Sequence, residues 1–111
     1  MGIKYNEYEV DMLFGNYGNG NLAIIFVGSK GSQYEGEDIV DATVNGNIQL
    51  KTEDICGFKA WNEGPGIVEC LVQEGIIHPD VNGIEPAGFS QIHYHRLTEK
   101  GKQIRDANRM E

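Results

Sequence analysis

At 111 residues, with 40% apolar and 23% charged side chains, the chain is sized for one compact domain that buries about 65% of its unfolded surface. That balance excludes a disordered chain, and the longest apolar run, Leu22 to Val27, is too short to cross a bilayer as a helix. The net charge of −8 divides unevenly, −10 over Met1 to His95 and +2 over Arg96 to Glu111, so the body repels phosphate backbones and direct nucleic-acid binding is disfavoured.

The N-terminal stretch MGIKYNEYEVDML has early acids and no apolar run of the kind an export signal needs, so a soluble, cytoplasmic protein without membrane association is expected. Tyr8, Val10, Met12 and Phe14 then alternate with Glu9, Asp11 and Leu13, the period of a half-buried strand. GNYGNGN, from Gly15 to Asn21, is a turn, because Asn and Gly tolerate left-handed backbone. LAIIFV, Leu22 to Val27, reads as a central strand that completes a hairpin. Gly28 to Asp38 is polar and Gly-rich, a mobile loop. Ile39 to Val44 and Ile55 to Trp61 are further strands, with either a tight turn at Asn45-Gly46 or a longer connection between them.

WNEGPG, Trp61 to Gly66, poses a choice between a phosphate cradle and the start of a helix. The Lys and Ser/Thr of a Walker loop are missing, and so is the full spacing of a dinucleotide fingerprint. Asn62 is a favoured N-cap, Pro65 suits a first turn, and Glu63 complements the dipole. Ile67, Val68, Leu71 and Val72 follow at helical spacing, and Gly75 is a stop, so a helix over Gly64 to Glu74 is predicted. It should pack on Ile24, Phe26, Val40, Phe58 and Ile92. HPDVNGIEPAG reads as a loop, and Phe89 to Leu97 as the last strand. The fold class is therefore α+β: a mainly antiparallel sheet of about five strands with one short helix packed on one face. It forms a single domain over residues 1–98, and a polar tail over 99–111 is helical or disordered.

Chemistry-bearing patterns are sparse. His93 and His95 share a strand face and are a candidate metal pair, but no third ligand stands at diagnostic spacing. Cys56 and Cys70 lie in apolar surroundings and read as small buried hydrophobes. Ser29, Ser32 and Ser90 lack a nucleophile elbow. No catalytic residue and no cofactor is assigned, and an enzyme is not expected. A better candidate is a partner-binding surface made by Tyr34, Glu35, Glu37, Asp38 and Asp41, in which an aromatic anchor stands among acids.

The succession YGNGNLAIIFV, DATVN, FKAWNEGPGIVECLVQEGII and PAGFSQIHYHRLT resembles a family of short proteins of unknown function from phages and mobile elements of gut bacteria. The resemblance spans Tyr17 to Thr98, and Asn62-Glu63-Gly64 with the following helix and Gly75-Ile76-Ile77 is its most distinctive part. It supplies no catalytic residues. It implies a small accessory protein that interferes with a host system. Together with the charge, this leads to the expectation of an acidic module that binds a basic surface of a host protein, for instance inhibiting a nucleic-acid-binding defence enzyme. The alternatives are a ligand- or metal-binding protein using His93 and His95, or a structural homodimer paired through sheet edges.

Overall fold

The computed structural model describes residues 2–59 and 66–109. The expected cap at Asn62, the first-turn Glu63 and Pro65, and the Ala60-Trp61 end of the fourth predicted strand lie outside the described residues.

The N-terminal half follows the alternation in the sequence. β1 (Ile3–Tyr5), β2 (Tyr8–Asn16), β3 (Leu22–Gly28) and β4 (Asp38–Asp41) form an antiparallel sheet in chain order. Val10, Met12 and Phe14 stand opposite Gly28, Phe26 and Ile24, so every second residue faces one core. β1 is joined to β2 by a tight turn in which Asn6 takes a positive φ of 54°, a conformation Asn accepts more readily than most residues.

The single sheet of about five strands is not what forms. A second antiparallel sheet carries β5 (Ile55–Lys59), β7 (Ser90–Arg96) and β6 (Gly83–Ala87) in the order β5-β7-β6, and the described residues hold two short helices rather than one. The split has a local cause. β4 stops at Asp41, short of the predicted Val44: the Ala42 N–H still donates to the Ile24 carbonyl at 2.9 Å, but the Val44 N–H turns to the Gly57 carbonyl of β5 at 2.9 Å. The Thr43 hydroxyl accepts the Ile24 N–H at 3.0 Å, and no hairpin closes at Asn45-Gly46. β6 hides in what reads as a turn-rich loop; it is an edge strand, the sheet position that tolerates a proline such as Pro86. The predicted start of β7 is also displaced. Gly88, with φ 62°, and Phe89 make the two-residue turn between Ala87 and Ser90, leaving Phe89 fully exposed.

α1 (Ile67–Gln73) closes the main core with Ile67 and Leu71, while Val68 and Val72 are only partly buried. Phe14, Ile24, Phe26, Cys56, Phe58, Ile76 and Ile77 fill the space between the sheets and the helix, each worth about 1.5–3 kcal/mol of burial for the larger side chains. Ile92 does not join them. Opposite Lys59 in the register, it faces the other side of the second sheet from Phe58. There it is buried with Tyr94, on the side where Gly46 packs against the Tyr94 hydroxyl.

The segment left open between helix and disorder contains α2 (Glu99–Ala107). The Thr98 hydroxyl caps it by accepting the Gly101 N–H at 3.0 Å. Its attachment is mostly polar. Arg105 donates to the Glu53 carbonyl at 2.6 Å and to Asp54 at 2.7 Å, Arg109 grips both Glu53 carboxylate oxygens, and the Phe14 N–H donates to the Asn108 carbonyl at 3.0 Å. The basic excess of this segment is thus partly spent inside the molecule. Among the described residues no helix is long and apolar enough to cross a membrane.

Candidate functional site

The acidic loop between β3 and β4 is tied by hydrogen bonds. The Gly28 N–H donates to the Glu37 carbonyl at 2.9 Å, and the Gly36 N–H returns to the Gly28 carbonyl at 3.0 Å, which closes the loop at its neck as in an Ω-loop. Inside it, the Ser32 hydroxyl donates to the Ser29 carbonyl at 2.6 Å, and the Glu35 carboxylate accepts the Gly31 N–H at 2.8 Å. Only glycine fits at the neck. A Cβ on Gly28 would stand 1.8 Å from the Tyr34 carbonyl oxygen, well inside contact distance.

Tyr34 is 39% exposed and held edge-on against the Tyr8 ring, with centroids 5.4 Å apart. It is a supported anchor, with part of its rotamer entropy already lost before any partner arrives. Glu35, Glu37 and Asp38 are exposed around it.

Asp38 and Asp41 are three residues apart, a spacing that would send them to opposite faces of a regular strand. A register shift between Phe26 and Val27 changes this: Asp38 pairs with Val27 and Asp41 with Ile25, two residues on one face. Val27 also stands opposite Asp11, and Ile25 opposite Leu13. The outer face of the first sheet therefore carries two neighbouring rows, Asp11-Val27-Asp38 and Leu13-Ile25-Asp41. Ile25 and Leu13 are half-buried and Val27 is buried on this face, and a bulge re-aims the acids beside them. Asp11, which also accepts the Ser29 hydroxyl at 3.2 Å, is a member that the sequence does not reveal. Its alternation marks its face but not its neighbours on β4.

The histidine pair separates by environment. His95 is buried, its Nδ1–H donates to the His78 carbonyl at 2.9 Å, and its ring meets Phe58 edge-on at 5.7 Å. His93 is half-buried, with Nε2 3.2 Å from the Gln91 side-chain oxygen. No group of three or more His, Cys, Asp or Glu that could hold a metal occurs among the described residues. Burial pushes the Cys56 thiol up to about 12, which keeps it protonated and unreactive. Cys70 is half-buried, and its thiol donates to the Lys4 carbonyl.

A second polar constellation went unread in the sequence. Glu85 on β6 is buried and accepts the Tyr94 hydroxyl at 2.7 Å, the Asn47 N–H at 2.7 Å and the Ile48 N–H at 3.3 Å. The Tyr94 hydroxyl, then the Asn47 amide, hold its carboxyl below the usual glutamate range. Burial, followed by that carboxylate, pushes Tyr94 up to about 12. From the other side, the Asn21 side chain donates to Asn45 and to the Ile48 carbonyl and accepts the Leu50 N–H at 2.9 Å. This is a fastening, since its polar groups are spent on one another.

A groove of about 290 Å³ runs between α2 and the β1–β2 hairpin. Its lining is mixed, with Ile3, Met12 and Ile104 beside Glu74, Lys100 and Gln103, and Val10 and Ile76 on its floor are fully buried. No family model matches the chain, and neither a curated protein nor a solved structure does.

Proposed function

We propose that the protein is an acidic binding module that docks on a basic surface of a host protein through the outer face of the first sheet and the tied loop beside it. Tyr34 is the anchor. Glu35, Glu37, Asp38 and Asp41 supply the charge, and Asp11 extends the acidic rim. The observation that carries this reading is the bulge that turns Asp38 and Asp41 to the same side as Asp11, around Leu13 and Ile25. An apolar centre with a charged rim is the anatomy of a transient interface, and acids held on a rigid sheet need no ordering when they meet Lys and Arg.

The proposal extends to an accessory protein of a phage or mobile element that competes with nucleic acid for a defence enzyme. It rests there on the resemblance and on the charge. The test is capture from nuclease-treated host lysate with a salt-gradient elution. A specific nucleic-acid-handling protein released at moderate salt supports the reading. The double variant Asp38→Lys, Asp41→Lys should lose it; equal capture by the variant rejects this face.

A further inference from the structure

Three Asn-Gly pairs occur in the chain, Asn19-Gly20, Asn45-Gly46 and Asn82-Gly83, and their surroundings differ. The Gly20 N–H is committed to the Tyr17 carbonyl at 2.8 Å, and both ends of the Asn19 amide are engaged, with the Asn21 N–H and the Gly46 carbonyl. Gly83 is fixed in the β6–β7 ladder opposite Tyr94. Asn45-Gly46 lies in irregular, partly exposed chain. Neither the Gly46 N–H nor the Asn45 side-chain nitrogen has a hydrogen-bond partner among the described residues, whereas Asn45 Oδ1 accepts from Asn21 Nδ2 at 3.1 Å.

We infer that Asn45 is a site of spontaneous modification, an asparagine that the fold arranges to cyclise with its neighbour and deamidate. The Gly46 amide nitrogen loses its proton to base and attacks Asn45 Cγ. A new N–Cγ bond forms, and negative charge builds on Oδ1, where the donor of the buried Asn21 already points. The Cγ–Nδ2 bond then breaks and ammonia leaves with a proton from water, giving a five-membered succinimide. Water opens that ring at either carbonyl, leaving aspartate or isoaspartate at position 45. No redox partner is needed. Gly46 offers no side chain to hinder the attack.

The product bears on the fastening. A new negative charge arises where position 45 meets Asn21, and the isoaspartyl form inserts a methylene into the main chain next to Gly46. There an added carbon on Gly46 would already lie 2.3 Å from Glu85 Oε1. Conversion at position 45 therefore unfastens the 42–50 segment from the second sheet.

The experiment ages the intact protein in mildly alkaline buffer and follows the three Asn-Gly peptides by mass spectrometry, with isoaspartyl methyltransferase labelling to identify the product. The three sites report on one another within a single sample. Position 45 should convert at least about threefold faster than either of the other two, while in urea the three rates should converge. A smaller margin in the native protein, or a different site leading, overturns the inference, as does the same ranking persisting in urea. Asn45→Gln, which lacks the five-membered route, should remove the signal from that peptide and leave the other two unchanged.

Discussion

Two connections of the molecule solve opposite problems. The Gly28–Asp38 loop closes on itself, through Gly28, Gly36 and Glu37, spends Glu35 on its own Gly31 amide, and turns Glu37 and Asp38 to water. The 42–50 segment instead gives its backbone amides to neighbours, Asn21 on one side and Glu85 on the other. A carboxylate is an anchor in one place and a display in the other. What decides is not the residue but whether backbone amides converge on it and water is kept out.

The sharpest way to break the contrast is to remove the glycine on which each segment rests. Gly28→Ala should cost about 2–3 kcal/mol, because its Cβ would meet the Tyr34 backbone carbonyl at the neck. Gly46→Ala should cost about 1–2 kcal/mol, since its Cβ would meet the side-chain ends of Glu85 and Tyr94, which can shift. Urea denaturation gives both values, and equal costs would mean that the two segments are alike after all.

Acid titration is the next largest lever. Because the Glu85 carboxyl is held below its ordinary value, its stabilisation is complete above an unfolded value near about 4.3 and is lost as pH falls through the lower folded value. Glu85→Gln should therefore be less stable than the parent at neutral pH, with the gap closing in acid. A gap that persists into strong acid would remove the carboxylate from the account.

Smaller still is the clamp on α2. Hydrogen bonds from Arg109 and then Asn16 hold the Glu53 carboxyl below the usual range. The pair is exposed, however, so Arg109→Ala should cost about 0.5 kcal/mol, read as faster hydrogen exchange in α2 that becomes indistinguishable from the parent in high salt. Least of all should be the effect of Glu37→Lys with Asp38→Lys on folding, within about 0.5 kcal/mol. A large loss of stability would show that these acids hold structure rather than face a partner.

What was legible in the sequence is what local pattern governs. The β2–β3 hairpin is written in its alternation and its Asn/Gly turn, and the apolar stripe of α1 is visible at Ile67 and Leu71. The division into two sheets is not, because it depends on where the chain leaves β3, and that is marked by the Val44 amide turning to the distant Gly57 carbonyl. β6 is hidden by Pro86, which propensity treats as a breaker and an edge position tolerates. Tyr34 and its neighbouring acids could be named from composition. Asp11 could not be joined to them, since only the register and its one-residue shift bring β2, β3 and β4 into common rows. Glu85 left no signal at all. An acid in a turn-like stretch looks solvated until the amides of Asn47 and Ile48, far off in the chain, arrive at it.

The order of the second sheet carries a further consequence, one of timing. β6 and β7 meet across a two-residue turn, and β1, β2 and β3 follow one another through short turns, whereas β5 must find β7 across the stretch that separates Phe58 from His93. Closing that long loop costs chain entropy before any contact repays it. The hairpins are therefore expected to assemble early and β5 to dock late, so Phe58→Leu should accelerate unfolding far more than it slows refolding in stopped-flow measurements.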